Sequence, residues 1–412
     1  MYILYNNKRF YIFLGFVFFL IMIYALQDFQ TSRNTAGEVG LYRGGVHLAM
    51  LAILLVLGMY YALTTARGRI LRSPVKAALW LIAGWIMVVN VLQNTITWNM
   101  AVQLGLGVLW ILVYHLLSYY LRHSPKSWPQ IQAGITIMFG FYVFSTLYAA
   151  YTIRKTYDVI AVVNLVYSVL VFLPWLSLMR GKRMRRWCYA IAFFMVLLSM
   201  KRGAILVFPL MLSAAALVEA VVRKKQLARF VLKIILMMAL LFAGLWTVDQ
   251  WSGGFLAERL SFEQLVGGSG RSKMYGMMLD DLSQRSSLDL FLGHGSGSVE
   301  QLLGGLAAHN EWLEFLFNYG VIGVVFYALL VLALTRRLLS LIKRSSRYAA
   351  GYAMAIVYML VVGMFGQIYF AHSTLYIMMF FGAVEGLMFN DARNVRVPSA
   401  DLAQNCYQEA IK

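Results

Sequence analysis

The sequence predicts an all-α polytopic membrane protein, a bundle of about twelve transmembrane helices with one long polar segment on its outer face. Three observations carry this expectation. Apolar residues make up 61% of the chain and aromatic residues 15%, with a mean hydropathy of +0.69. Apolar runs of roughly 15–25 residues recur along it, each close to what a helix needs to cross the hydrocarbon core. The cations, finally, gather in the short polar joints between those runs.

In chain order the apolar runs are 10–26, 46–66, 77–92, 99–121, 131–151, 158–179, 187–200, 203–222, 230–248, 311–335, 348–366 and 374–389. The organisation that follows is nine spans within 1–248, an outer-face (periplasmic) loop over 249–310, three spans within 311–389 and a cytoplasmic tail over 390–412. The first run follows Lys8-Arg9, but Tyr24-Ala25-Leu26-Gln27 offers no small-x-small cleavage site. It reads as an uncleaved anchor with the N-terminus inside. In that orientation roughly 25 of the 36 Lys and Arg residues fall on the cytoplasmic side and about 10 outside, the bias that orients membrane proteins.

The net charge of +19 is therefore a topology signal, with contact to anionic lipid second. The runs Arg180-Gly181-Lys182-Arg183-Met184-Arg185-Arg186 and Arg223-Lys224-Lys225 are not read as nucleic-acid sites. Cys188 and Cys406 both fall on the reducing side, so no disulfide framework is expected. Glu219, Lys233 and Glu385 lie near inner helix ends, where their side chains can snorkel to the interface. His115, the deepest titratable group, reads as a satisfied helix-facing histidine. The midplane thus lacks the ionisable groups that mark a coupling-ion pathway, and no internal repeat is visible, both of which weigh against a transporter.

The candidate chemistry lies on the outer side. Lys201 and Arg202 follow a run of only about 14 residues, about 21 Å of helix, which sinks the pair below the outer membrane surface. Gly203 then allows a sharp turn, or a close approach of backbone to ligand. The plainer reading is a tilted helix whose cations snorkel. Arg271 follows Gly267-Gly268-Ser269-Gly270, a backbone able to present N–H groups to an anion; the plainer reading is a simple loop. His309 precedes Asn310, a good helix N-cap, and the stretch Glu311-Trp312-Leu313-Glu314-Phe315 that opens the tenth span. There the helix dipole opposes protonation of the imidazole while Glu311 and Glu314 favour it. His294, in Gly293-His294-Gly295-Ser296-Gly297-Ser298, reads as part of a glycine turn. Asp280, Asp281, Asp289 and Glu300 lack a metal-ligand spacing, so neither metal nor cofactor is expected.

The order of these motifs resembles the O-antigen ligase and O-antigen polymerase family. The short span ending in Lys201-Arg202-Gly203 is followed by a long outer loop with Gly270-Arg271. Then come the Gly293-His294-Gly295 turn, His309-Asn310 with Leu313-Glu314, and Asn318-Tyr319-Gly320 with Gly323. The resemblance is specific over about 198–325. It implies a glycosyltransferase of the bacterial inner membrane, active on the periplasmic face. Such an enzyme moves a glycan from undecaprenyl diphosphate to a hydroxyl of a growing glycan (polymerase, the first reading) or of lipid A core (ligase). Carried over residue by residue, Arg202 and Arg271 bind the diphosphate and His309 is the catalytic base; Asn310, Glu311 and Glu314 support it. The family pattern has Ser before the first arginine where this chain has Lys201, which leaves open which cation meets the phosphate. A lipid-linked sugar transporter is the alternative from another class, since a cationic outer cavity would serve it too.

Overall fold

The computed structural model describes residues 73–396, with short breaks at 96–97, 158–161, 180, 223–226, 262–269, 367, 370 and 372, together with Val56 and Gly58. The expected span 10–26, the span 46–66 apart from Val56 and Gly58, and residues 397–412 of the tail lie outside the described residues. Every regular element among the described residues is helical. Among the described residues seven helices are long and apolar enough to cross a membrane. This is the architecture of a helical membrane protein.

The helices are α1 (Pro74–Leu92), α2 (Trp98–His123), α3 (Trp128–Tyr157), α4 (Val166–Leu170), α5 (Leu173–Ser177), α6 (Lys182–Leu198), α7 (Arg202–Val222) and α8 (Leu227–Trp251). There follow α9 (Phe255–Leu260), α10 (Arg271–Ser283), α11 (Ser287–Leu292), α12 (Ser298–Leu302), α13 (Glu311–Lys343), α14 (Ala349–Gly363) and α15 (Ser373–Arg396). The run expected as one span over 158–179 is broken into α4 and α5. Pro174, near the start of α5, has no N–H to extend a helix from before it. Its residues are core nonetheless, with Leu170, Val171, Phe172 and Leu173 fully buried. The segment expected as a loop over 249–310 is largely helical, carrying α9 to α12.

The bundle is tightest where α15 lies along α2 and α14 along α7. Gly382 and Gly386, four residues apart, explain the first contact. A Cβ at Gly382 would run into the Tyr114 carbonyl, and one at Gly386 into that of Ser118. Small residues at this spacing let two backbones approach closely, the main source of helix affinity where the hydrophobic effect is absent. Tryptophans bond backbone carbonyls of the neighbouring elements: Trp110 Nε1 donates to Tyr369 O, between α14 and α15, at 2.7 Å and Trp175 Nε1 to Tyr376 O, in the first turn of α15, at 3.1 Å. In lipid an unsatisfied carbonyl would cost several kcal/mol. By contrast α8 is an outlier: only 6% of its apolar window is buried, leaving Leu232, Ile235, Leu236 and Phe242 exposed.

Nearer the opposite end of the bundle Arg337 pairs with Glu385, and His115 is buried with its Nδ1 3.3 Å from Lys76 Nζ. Both histidine and carboxylate are thus partnered. Cys188 is a buried free thiol.

The α2–α15 contact yields a measurable expectation. Gly386→Val should lower stability by about 1–3 kcal/mol, the usual cost of overpacking, seen as a lower thermal midpoint in detergent. An unchanged midpoint would mean that α2 and α15 are not held backbone to backbone.

Candidate active site

The site is built where α13 begins and where it breaks. Gly320 has φ 65° and ψ −172° in the middle of that helix, a conformation that glycine alone adopts easily. The break frees the carbonyls of residues 317–319, which a continuous helix would bond to residues 321–323. All three find other donors. His294 N donates to Phe317 O at 3.2 Å and Gly295 N to Asn318 O at 2.8 Å, while Trp85 Nε1 donates to Tyr319 O at 2.8 Å. Gly293 and Gly320 sit so close that a Cβ on either would strike the other's backbone.

A buried polar network reinforces this joint. Ser296 Oγ lies 2.9 Å from the Tyr319 hydroxyl and accepts from Asn90 Nδ2 at 3.0 Å. Asn90 Oδ1 in turn accepts from Ser296 N at 2.9 Å and Thr95 Oγ1 at 2.8 Å, and Tyr319 donates to Gln103. Asn318 Oδ1 accepts from Val299 N at 3.2 Å. The turn at 293–298 is thereby pinned to α1, α2 and α13 together. Neither Asn90 nor Ser296 stands out in the sequence, because each is one polar residue whose partner lies 206 positions away.

His309 is held from every side. Asn310 caps α13, its Oδ1 accepting from Leu313 N at 3.2 Å, as its residue type predicts. Ala308 is fully buried in a small cluster with Met278, Val299 and Phe317. The backbone N–H groups of Ala308 and His309 donate to the Glu314 carboxyl, and Tyr275 OH donates to His309 O at 3.5 Å. Between these fixtures His309 adopts φ 55°, a left-handed conformation that costs a non-glycine residue about 1–2 kcal/mol.

The two carboxylates do not act on the imidazole as the sequence suggests. Glu311, 1% exposed, turns away to accept from the backbone N–H groups of Ile368 and Tyr369, fastening the α14–α15 connection. Glu314, 4% exposed, holds backbone instead. What sets the His309 ring is crowding by protein atoms, then the charges of Arg271 and Lys201, and all three push its pKa below the ordinary value. The ring is still exposed, so a ligand can reach it.

Lys201, Arg202, Arg271 and Asn310 line one cavity of about 760 Å³. Its other walls are apolar: Leu206 and Pro209 from α7, Met238, Leu241 and Leu245 from α8, and Met364 and Phe365 beyond α14. Arg271, the first residue of α10, donates to Phe365 O at 3.2 Å. The structure therefore gathers residues 70 positions apart around a half-apolar, half-cationic space, with His309 adjoining. Among the described residues no group of three or more His, Cys, Asp or Glu could hold a metal ion. Asp281 pairs with Arg285 at 2.6 Å, and Asp289 belongs to the Ser286 cap of α11.

The expectation of a turn at Gly203 is corrected. The left-handed residue of the α6–α7 joint is Met200, φ 51°, and Gly203 lies within α7. The glycine admits the hydroxyl of Tyr167, against which a Cβ would collide. Tyr167 lines the same cavity, its backbone carbonyl accepting from Tyr358 OH at 3.0 Å. The sequence carried no signal for Tyr167. A double-mutant cycle tests the fit: Gly203→Ala should destabilise by about 1–3 kcal/mol, and Tyr167→Phe should recover much of that loss. Strictly additive effects in thermal unfolding would show that the two do not touch. No protein-family model matches the chain, and no curated protein matches it.

Proposed function

We propose that the chain is a membrane glycosyltransferase that moves a glycan from undecaprenyl diphosphate to an acceptor hydroxyl, in surface-polysaccharide assembly. The observation that carries the reading is the cavity shared by Lys201, Arg202, Arg271 and Asn310, with an apolar wall from α7 and α8. A polyprenyl diphosphate asks for both halves at once. Guanidinium groups neutralise the diphosphate through charge-assisted, bidentate hydrogen bonds, and the apolar wall suits the first isoprene units. The sparsely packed α8 gives a lipid tail a way in from the bilayer.

In this reading the acceptor oxygen loses its proton to His309 as it forms a bond to the anomeric carbon. The bond from that carbon to the diphosphate oxygen breaks, and undecaprenyl diphosphate leaves with its charge balanced by Arg202, Arg271 and Lys201. A single displacement inverts the anomeric configuration. The reading places the site on the periplasmic side of the bacterial inner membrane and both termini in the cytoplasm, with twelve spans in all. Polymerase is the first form and ligation to lipid A core the second.

A base whose pKa is pushed down keeps its neutral, proton-accepting form to lower pH. In a reconstituted transfer assay kcat/KM should therefore begin to fall only below about pH 6.5, the ordinary histidine value. Lys201→Gln should move that limb upward by removing one positive neighbour. His309→Ala should cut turnover by about 10²-fold or more while leaving the protein folded. Transfer by His309→Ala within a few-fold of the unaltered chain would remove the base assignment.

A further inference from the structure

A second cavity opens beside α10, and its chemistry differs from that of the first. It measures about 340 Å³ and is lined by Gln93, Asp281, Arg285, His294, Gln301 and Phe317, among others, close to the lower end of the range for small-ligand sites. Among the described residues lining it, the one Lys or Arg is already neutralised. Arg285 pairs with Asp281 at 2.6 Å, donates to Phe317 O at 3.3 Å and lies 3.7 Å over the Phe317 ring. Its floor is rigid, because His294 N is bonded to the α13 kink and Gln93 Nε2 donates to Gly293 O at 2.6 Å.

The groups left to meet a ligand are polar and directional, and their one carboxylate, Asp281, is already paired with Arg285. Gln301 is exposed and its amide offers two donors and an acceptor. The half-buried His294 presents ring nitrogens beside it, and Asp281 keeps acceptor capacity beyond its bond to Arg285. An anion gains little in such a groove and an apolar ligand would strand its polar walls. A polyhydroxyl ligand satisfies them.

Position adds to composition. Asp281 stands ten residues after Arg271 on α10, about 15 Å further along the helix at 1.5 Å per residue. Between them Tyr275 both lines the cationic cavity and bonds the carbonyl of His309. One helix thus joins the diphosphate end, the base and the second groove.

We infer that this groove is a saccharide subsite, which holds sugar units of a neutral glycan about 15 Å along α10 from Arg271 and so selects the glycan being transferred or extended. The inference rests on the proposed transferase reading for its biological sense, and not for the binding itself.

The test uses the full chain in lipid nanodiscs. As probe it takes lipid-free oligosaccharides released by mild acid from the host's own surface polysaccharide, with binding read by saturation-transfer NMR. The unaltered chain and Arg271→Ala should bind the probe alike, whereas Gln301→Trp, which fills the groove, and Gln301→Ala should weaken binding at least tenfold. Circular dichroism and thermal midpoint confirm that the Gln301 variants are folded. Equal binding by Gln301→Trp and the unaltered chain, no binding by the unaltered chain, or loss confined to Arg271→Ala would each overturn the subsite. The source of the sugar is read from transfer kinetics: a KM raised for acceptor places the acceptor glycan there, one raised for the lipid-linked donor places the donor glycan. Were His309→Ala and Arg271→Ala to transfer normally, the transferase reading would fall while the binding result stood.

Discussion

At Gly320 the longest of the described helices breaks, and the three carbonyls released are taken up by two backbone N–H groups of the 293–295 turn and by the indole of Trp85. The placement of α11 and α12 against α13 depends on this exchange. Carbonyls exposed part-way along an apolar helix must be paired or they destabilise the fold by several kcal/mol each. The turn that pairs them has its own N–H groups satisfied in the same step. Glycine is required on both sides, since a Cβ on Gly293 or Gly320 would occupy the other's backbone. Once the joint closes, α10 to α12 are laid against the first turns of α13, Ala308 enters their small core, and His309 is left with one conformation to adopt.

A fixed backbone at His309 matters because the side chain itself is exposed. The base role proposed for His309 needs a group both reachable and held in place, and its main chain is held by the Asn310 cap, the Glu314 carboxyl and the Tyr275 hydroxyl. The charges that tune the ring belong to a different part of the protein. Lys201 sits at the α6–α7 joint and Arg271 at the head of α10, so two of the cations proposed to hold the diphosphate add to burial in lowering the imidazole's pKa. Binding of an anion there would weaken that effect and make the imidazole a stronger base once donor is in place.

Much of this was legible in the sequence, and what was not has a common cause. Apolar runs near bilayer length gave most of the helices, because the period and length of such runs are local properties. The N-cap at Asn310 is legible from neighbours within a few residues. Pairings across the chain were not legible. Asn90 with Ser296, Glu311 with the amides of Ile368 and Tyr369, and Tyr167 with Gly203 each join positions that nothing local connects. Gly203 shows the limit well: its neighbours suggest a sharp turn or a close approach of backbone to ligand, and the fold uses its missing Cβ to admit the Tyr167 hydroxyl. Likewise the acidic neighbours of His309 were given an electrostatic role on its ring, when burial had already committed both to backbone N–H groups.

The central claim is that a lipid diphosphate occupies the cavity between α7, α8 and the head of α10. Cryo-electron microscopy of the chain in nanodiscs with undecaprenyl diphosphate tests it most directly. The account predicts diphosphate density within hydrogen-bonding distance of Arg202 and Arg271, with the isoprenoid chain running past Leu206, Leu241 and Leu245 toward the lipid. Density for the diphosphate elsewhere on the protein, with that cavity filled only by solvent, would contradict it.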